Sequence, residues 1–344
     1  MKASLRYSNW KYIIFFSIAV FISVCLCPHT TQAVNITPFD MKNQSPIVQI
    51  YGLPGIGTAV LFSPGRPEFR MTLDYSSNYV DDAKKGEHIV LDGETARITM
   101  GGRYGLTDKV ECGVEIPYII HGGGFLESFI IHYHDIFGFS QGGRDQAPRN
   151  HLRYLYTRGG MEKLNVDRSS DGLGDISLTA GLQIYHDKNE YPRAVALRTS
   201  LKLPTGDSDQ LHGSGSTDMA VWITASDDYK LKAGHWTLFG AAGLMGMTDG
   251  KVIQEQQRNL VGFGTVGAGW SPLSWIAFKF QMNAHTPFYD DSDLKEVNAN
   301  AVQLLIGGTL SLFQQTTLDI GVSEDLIIKT SPDVSFHFDL RTRF

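Results

Sequence analysis

The carboxy-terminal stretch VSFHFDLRTRF, residues 334–344, alternates strictly between two kinds of side chain. The even-numbered positions carry Val, Phe, Phe, Leu, Thr and Phe, whereas the odd-numbered positions carry Ser, His, Asp and two Arg residues. Because successive side chains of a β-strand point to opposite faces, this period of two predicts a strand with one apolar and one polar face. The chain ends on that strand, with the aromatic residue Phe344 as its last position.

The amino-terminal residues have the three parts of a secretory signal peptide. Three basic residues within the first eleven positions precede an apolar run at 12–26, and Thr31-Gln32-Ala33 provides a small-residue cleavage site. A basic start, a short apolar core and a small-residue site are typical of a signal that is removed, not of a membrane span. We therefore expect residues 1–33 to be a signal peptide and the mature chain to begin near Val34.

The mature sequence favours a membrane barrel. It contains no apolar run of the ~18–20 residues that a membrane helix needs. Only helices and closed barrels satisfy their backbone hydrogen bonds in lipid, so a membrane protein of this composition must be a barrel. The 36 glycines, 19 phenylalanines and 14 tyrosines of the full sequence suit that class. Outer-membrane barrels commonly end in an amphipathic strand with a terminal aromatic residue. We therefore expect Phe344 to be an assembly signal and the barrel-assembly machinery of a Gram-negative cell to be a partner.

Twelve segments show the amphipathic alternation, and the connections between them alternate between short and long. Short turns alternating with long loops predict an all-β fold, a transmembrane antiparallel β-barrel of about twelve strands spanning residues 67–344. Both termini then lie in the periplasm. Residues 236–270 are glycine-rich and apolar on both faces, so the pattern leaves their register open. The predicted strands are 67–79, 88–104, 109–120, 174–185, 194–203, 218–227, 236–247, 259–270, 275–285, 299–313, 317–324 and 334–344.

Aromatic residues cluster on the short-turn side of the predicted barrel, where an interfacial girdle is expected. They are Tyr104, Tyr185, Trp236, Trp270, Trp275 and Phe344.

The polar faces of the strands carry charges that would point into the lumen, where a charge needs water or a partner. Two interpretations remain open. The charges either form interior ion pairs that tie the wall together, or line a polar channel whose basic residues attract anionic or polar solutes. The lumen candidates are Arg70, Asp74, Arg97, Arg103, Glu111, Glu115, Asp175, Arg198, Lys202, Lys279, Asp339 and Arg341.

The longest predicted loop, 121–173, contains a predicted short helix at 125–137. Its aromatic residues recur at every fourth position, which places them on one helix face. This segment could be a lid over the barrel mouth or an ordered surface loop. The lid candidates are Phe125, Phe129, Tyr133 and Phe137.

Residues 34–66 precede the first predicted strand. Pro46 and Pro54 interrupt any regular element there. The segment could form a periplasmic lead, a pair of strands or an insert into the lumen, and the sequence does not choose between them.

Two sets of motifs resemble known families. Residues 43–46 with 52–54, then 124–129, 134–135 and 142–144, resemble an uncharacterised family of Gram-negative outer-membrane proteins known only as a domain of unknown function. That resemblance covers most of the mature chain. Separately, the motifs DGLGDI at 171–176 and LPTGD at 203–207, followed by GSG at 213–215, are similar to outer-membrane barrels associated with phenol meta-pathway degradation. The second resemblance implies uptake of hydrophobic compounds by analogy, and neither brings catalytic residues.

Apart from the lumen candidates, the sequence offers no convincing catalytic or metal-binding site. His132 and His134 lie near Glu127, but side chains two positions apart on a helix point in different directions. Ser335 and His337 would face the lumen, whereas a lipid hydrolase would need its catalytic groups on the outer face. We therefore expect no enzyme activity, no metal and no cofactor.

Charge and cysteine content narrow the possible partners. Removing the three basic signal residues leaves 27 basic against 36 acidic residues, a net charge of −9, which argues against nucleic acid. Cys112 is the single cysteine after the signal, so no intramolecular disulfide is expected. The expected contacts are outer-membrane lipid, lipopolysaccharide and a small-molecule solute.

We therefore interpret the chain as an outer-membrane β-barrel and a passive channel for small solutes, hydrophobic or anionic. The alternative is a non-transporting structural or surface-interaction barrel with an occluded lumen.

Overall fold

The computed structural model describes residues 34–124, 150–187, 189–326 and 330–344. Twelve strands close into an antiparallel barrel, because β1 pairs with both β2 and β15 and the rest follow in order. The predicted all-β, twelve-stranded antiparallel barrel is thus confirmed. The barrel strands are β1 (Pro67–Lys84), β2 (Glu87–Thr107), β3 (Val110–Gly122), β7 (Ser177–His186), β8 (Arg193–Lys202), β9 (Asp218–Lys230), β10 (His235–Met247), β11 (Leu260–Leu273), β12 (Ile276–His285), β13 (Ala301–Phe313), β14 (Thr316–Asp325) and β15 (Val334–Arg343).

Three further strands lie in the connection between β3 and β7: β4 (Arg153–Arg158), β5 (Met161–Val166) and β6 (Ser170–Leu173). One turn of α-helix, α1 (Lys295–Asn298), lies between β12 and β13, and one 3₁₀ turn, Gln254–Gln256, lies between β10 and β11. In the part of the chain that the structure describes, no helix is long and apolar enough to cross a bilayer.

The two faces of the wall differ as the alternation predicts. Leu178 and Phe278 point outward and are 46% and 50% exposed, whereas Lys279 and Gln281 point inward and are 3% and 1% exposed. An apolar exterior is what hydrocarbon requires of a transmembrane barrel. The six predicted girdle residues are all at least 36% exposed.

The register of residues 236–270 is resolved by the pairing of β10 with β11, in which Trp236 lies opposite Trp270. Leu238 and Val266 face outward, while Phe239 and Met245 are buried inside. Both faces are apolar because the inner side chains of these strands pack against other protein segments instead of water.

The wall is longer than predicted between β1 and β2. A loop was expected at 80–87, but the strands continue to a two-residue turn at Lys85 and Gly86. Both turn residues have positive φ, 47° and 85°, as a tight type I′ hairpin turn requires.

The long connection 121–173 also differs from the prediction. The sequence predicted a loop with one helix, whereas β4 pairs with the extended part of β2, β5 pairs with β4, and β6 pairs with β3. These strands are four to six residues long, too short for alternation to reveal them. The predicted helix at 125–137, with the lid candidates Phe125, Phe129, Tyr133 and Phe137, lies outside the described residues.

The two ends of the barrel are built differently. We call the end with the turns after β2, β7, β9, β11 and β13 the short-turn end, and the opposite end the long-loop end. A buried apolar cluster, which we call the cap, closes the long-loop end. The cap joins side chains of the strand extensions, of β4 and β5, and of the connection after β12. Its largest fully buried members include Ile47, Tyr154, Tyr156, Phe288 and Tyr289.

Candidate functional site: the barrel lumen

Residues 34–62 occupy the lumen; we call this segment the plug. Its ascending leg, 34–44, starts beside the short-turn end, where Val34 and Ile36 pack with Phe239. The leg rises to Asn43, whose side-chain amide donates to the Thr330 carbonyl at 2.9 Å in the connection after β14. The chain then turns at 45–51, and the descending leg, 52–62, returns toward β1. Of the three arrangements left open for 34–66, the structure therefore has the lumenal one for residues 34–62.

The ascending leg runs beside β12. Inward side chains at every second position of that strand bind the leg at every second residue, and each pair is separated by 242 positions. We call Lys279, Gln281, Asn283 and His285 the β12 ladder. The contacts are Lys279 Nζ to the Thr37 carbonyl at 3.1 Å, the Phe39 N–H to Gln281 Oε1 at 2.8 Å, Gln281 Nε2 to the Phe39 carbonyl at 3.1 Å, Asn283 Nδ2 to the Met41 carbonyl at 3.1 Å, and Asn43 Nδ2 to His285 Nε2 at 2.9 Å.

The constant separation has a simple geometric cause. An extended chain presents the N–H and the C=O of alternate residues on one side, and a strand directs alternate side chains to one face. The leg and β12 therefore run in the same direction with matching repeats. Gln281 shows the match most fully, since its amide both accepts from and donates to the Phe39 backbone.

The opposite side of the ascending leg carries charge. The Asp40 carboxylate pairs with Arg70 and lies 3.8 Å from Arg103 Nη2. Lys42 Nζ lies 3.3 Å from Glu115, which also pairs with Arg70 at 2.8 Å. A buried charge without a partner is strongly destabilising, so these wall residues fix where an acidic and a basic side chain can lie.

A second charged cluster lies under Phe39. Lys279 Nζ pairs with Asp319 at 2.7 Å and sits 3.9 Å from the centre of the Phe39 ring. Arg341 pairs with Asp319 at 2.8 Å and with Asp339 at 2.7 Å. The Arg341 guanidinium also donates to Thr37 Oγ1 of the leg at 2.5 Å.

The descending leg is held by side chains from four different strands, β9, β8, β7 and β3. The contacts are the Gly52 N–H to Asp218 Oδ2 at 2.7 Å, Trp222 Nε1 to the Ile56 carbonyl at 2.8 Å, Arg198 Nη2 to the Thr58 carbonyl at 2.7 Å, Gln183 Nε2 to the Ala59 carbonyl at 2.8 Å, the Leu61 N–H to Gln183 Oε1 at 2.9 Å, and the Phe62 N–H to Glu111 Oε2 at 3.0 Å.

The turn between the legs is anchored in the cap. Tyr289 donates to the Ile47 carbonyl at 2.9 Å and receives the Tyr51 hydroxyl at 3.2 Å. Tyr51 also stacks on Phe288, with 4.8 Å between ring centres. Burial raises the pKa of Tyr289 well above its ordinary value, so this phenol stays protonated and able to donate.

All twelve charged lumen candidates lie on the inner side of the barrel, eleven of them buried and Arg103 partly buried. Both wall–wall and wall–plug pairs occur. The pairs not yet described are Arg198 with Glu111 at 2.8 Å, Lys202 with Asp175 at 2.5 Å and with Asp218 at 3.2 Å, Asp74 with His337 at 2.6 Å, and Arg97 with the Gln49 carbonyl at 2.9 Å.

Sequence reasoning missed the neutral residues that bind the plug, because it weighed only charges. The alternation had placed Gln281 and Asn283 on the inner face, but nothing in the pattern indicated a bound segment. Among the described residues, no group of three or more His, Cys, Asp and Glu side chains is arranged to hold a metal ion.

A cavity of about 330 Å³ opens at the short-turn end between the two legs and the wall. Its lining is mixed, and includes Asn35, Thr37, Thr58, Asp228, His235 and Phe239. Solvent can enter this cavity and reach the base of the plug.

The solved structures that this chain is similar to include a COG4313 outer membrane channel from Pseudomonas putida F1. The identity is 13%, the match covers 85% of this chain and 99% of that one, and the TM-score is 0.54. The NanC porin gives 8% identity over 81% and 98% of the two chains, with a TM-score of 0.43. The toluene transporter TodX of P. putida gives 8% identity over 82% and 89%, with a TM-score of 0.36. At this level the first likeness establishes the fold alone, the barrel of outer-membrane proteins.

No curated protein matches the chain significantly. Residues 13–344 match the family described as "Protein of unknown function (DUF3187)", which confirms the resemblance to an uncharacterised family. The match covers nearly the whole sequence, and the chain therefore belongs to the DUF3187 family.

Proposed function

We propose that this protein is a gated outer-membrane channel for small solutes, and that the plug is its gate. The observation that carries the proposal is the way the plug is held. Wall side chains bind its backbone at intervals along both legs. The plug therefore occupies a lumen whose own lining is polar. Export by the signal peptide, recognition of Phe344 by the assembly machinery, and contact with outer-membrane lipid and lipopolysaccharide belong to the same proposal.

The size of the barrel supports a removable filler. About eight strands leave an interior that side chains alone can fill, whereas about sixteen to eighteen leave an aqueous channel. A twelve-stranded barrel lies between these cases, and here its surplus space holds a two-legged segment. Once the expected signal peptide is removed, the plug is covalently continuous with the wall at one end only, through residues 63–66, where the Gly65 N–H donates to the Gly105 carbonyl at 3.0 Å. A filler tethered at one end is able to leave without unfolding the wall.

The charged lining of the lumen favours the passage of small polar or charged solutes over hydrophobic ones. Among the twelve candidates, seven are basic and five are acidic, and most are already paired across the wall. Mixed charge lines a hydrated path well, whereas a hydrophobic solute would have to displace water from these groups. The COG4313 relative is described as a channel, which supports the same role here.

The second candidate, a non-transporting barrel, is favoured by the closure of the long-loop end. The cap buries the turn of the plug, and Ile47, Ile50 and Tyr51 are each at most 2% exposed there. The same contact means that removing the plug takes apolar side chains out of the middle of the cap. Loss of the plug is therefore expected to loosen the cap as well as empty the lumen.

The deciding experiment compares the parent with a variant that lacks residues 34–62, in planar bilayers. We expect brief, rare openings for the parent and a steady open level for the variant. Heat-modifiable gel mobility serves as the control that the variant barrel has folded. A folded variant that stays as silent as the parent would contradict the channel proposal and favour the non-transporting barrel.

A further inference from the structure

We propose that the β12 ladder, together with Arg70 and Glu115, is a binding site for an extended peptide, and that peptides of this form are the solutes that the lumen recognises. The site would accept such a peptide in place of the ascending leg. This inference rests on the proposed function, since a peptide enters only where the leg is displaced.

The ladder matches the chemistry of a peptide backbone. Gln281 offers an acceptor and a donor to the N–H and C=O of a single residue, which is how an extended peptide presents those groups. Lys279 and Asn283 add donors to the carbonyls two residues before and two residues after. A run of alternate carbonyls with this spacing is a property of extended polypeptide, whatever its side chains.

The other side of the site selects side chains. Arg70 faces the position of Asp40, and Glu115 faces the position of Lys42. The ring of Phe39 lies against Lys279 and meets the edge of His337, with 5.8 Å between ring centres. The preferred peptide therefore carries an aromatic residue, an acidic residue directly after it, and a basic residue two positions further on.

The descending leg offers no comparable site. β9 keeps step only with the first part of this leg, where Asp218 binds Gly52 and Trp222 binds Ile56. The remaining contacts pass to β8, β7 and β3. Its two ends are also fixed, one in the cap and one at β1. Only the ascending leg lies on a surface that another extended chain could occupy in the same register.

The test uses the full chain with Phe39→Pro. This change removes the N–H that donates to Gln281 and the aromatic ring that contacts Lys279. The wall is unchanged, so a labelled peptide of sequence VNITPFDMKNQ, residues 34–44, should bind in the place of the loosened leg. Fluorescence polarisation in detergent would measure saturable binding. Adding Gln281→Ala removes two hydrogen bonds and should weaken binding by about tenfold or more.

Two matched controls separate recognition from general effects. The peptide VNITPFKMDNQ has the same composition with the two charges exchanged, and should bind about tenfold more weakly because each charge meets its like. Adding Phe280→Ala instead changes an outward side chain between two ladder residues, and should leave the affinity within about twofold, as expected for a site away from the contact.

Three results would overturn the inference: no saturable binding, equal binding of the two peptides, or displacement of the peptide by maltohexaose at similar concentration. The last result would mean that the ladder takes polar chains in general. The channel proposal fails separately, since binding requires no conduction. If the variant without residues 34–62 conducts but the peptide does not bind, only the present inference is wrong.

A second measurement applies if Phe39→Pro does not fold. The otherwise unchanged chain with Met41→Cys and Cys112→Ser is treated with a water-soluble maleimide. Because the peptide competes with the leg for the ladder, excess VNITPFDMKNQ should speed labelling severalfold, and the charge-exchanged peptide should not. Equal labelling rates with both peptides would overturn the proposal by this route.

Discussion

The two legs of the plug have similar length and lie in the same lumen, but the wall holds them in different ways. The backbone of the ascending leg is bound along one strand by a repeating set of mostly neutral side chains, while charged wall residues meet its side chains Asp40 and Lys42. The descending leg is bound by β9, β8, β7 and β3 in turn, and three of its contacts involve charged groups, Asp218, Arg198 and Glu111. Hydrogen bonds with a charged partner are roughly twice as strong as neutral ones.

The two modes of attachment indicate which leg is the moving part of the gate. The backbone contacts of a leg that follows one strand can break one at a time, starting from its end. A leg that crosses four strands must break contacts with all of them, and both of its ends are fixed. Once the expected signal peptide is removed, the ascending leg begins at a chain end, which packs with Phe239 but is not continued by any earlier residue. We infer that the ascending leg moves and that the descending leg remains as part of the lining.

The largest expected effect follows from deleting the ascending leg alone, residues 34–44. This variant should give most of the conductance of the variant that lacks the whole plug, and cells that produce it should become sensitive to bulky antibiotics. Single-channel recording and growth on vancomycin would check the two expectations. If conductance appears only when residues 45–62 are also removed, the comparison between the legs is wrong.

A large loss of stability is expected from Arg198→Ala. The change removes the contacts to the Thr58 carbonyl and leaves Glu111 buried without its guanidinium partner. Removing one partner of a buried ion pair costs about 3–5 kcal/mol. Urea unfolding, followed by the fraction of heat-modifiable protein, would measure the loss. The matched change on the ascending leg's side, Gln281→Ala, should cost only about 1–3 kcal/mol. Equal losses would show that the legs are held with equal strength.

A smaller effect is expected where the two legs touch. A Cβ atom on Gly55 would overlap the Asp40 carboxylate, so Gly55→Ala should push the ascending leg from its place. Overpacking of this kind costs about 1–3 kcal/mol. Because the descending leg is the better anchored, we expect faster maleimide labelling of the chain with Met41→Cys and Cys112→Ser and little change in the urea midpoint. A lowered midpoint with unchanged labelling would show that the wall yields first.

The smallest effect is expected from Lys42→Gln. Lys42 is partly accessible to solvent, and the buried Glu115 keeps its pairing with Arg70 at 2.8 Å. The loss should be about 1 kcal/mol or less, as for pairs that water still reaches. It should appear as a modest rise in open probability that is larger at low salt, because ions screen the lost attraction. If the open probability of the parent does not depend on salt, the Lys42–Glu115 pair does not help to keep the ascending leg in place.

Much of the wall was predictable because its information is local. Each strand touches hydrocarbon on one face, so the alternation in residues 334–344 or 275–285 already states which side chains point inward. That is why Lys279 and Arg341 could be assigned to the lumen from the sequence. The alternation fails for β4, β5 and β6, which are only four to six residues long and pair at the long-loop ends of β2 and β3 or with each other.

The barrel class, the number of strands and the inner and outer faces could all be read from the chain, because lipid on one side imposes a period of two along every strand. What fills the lumen could be learned only from the folded barrel. Residues 34–62 carry no such period, and their partners on β12 lie 242 positions away in the chain. β10 and β11 are apolar on both faces because one face meets lipid and the other packs against the plug and the cap. Local patterns indicate which environment each face of a strand meets. The match between Gln281 and the Phe39 backbone exists only after the barrel has closed around the plug.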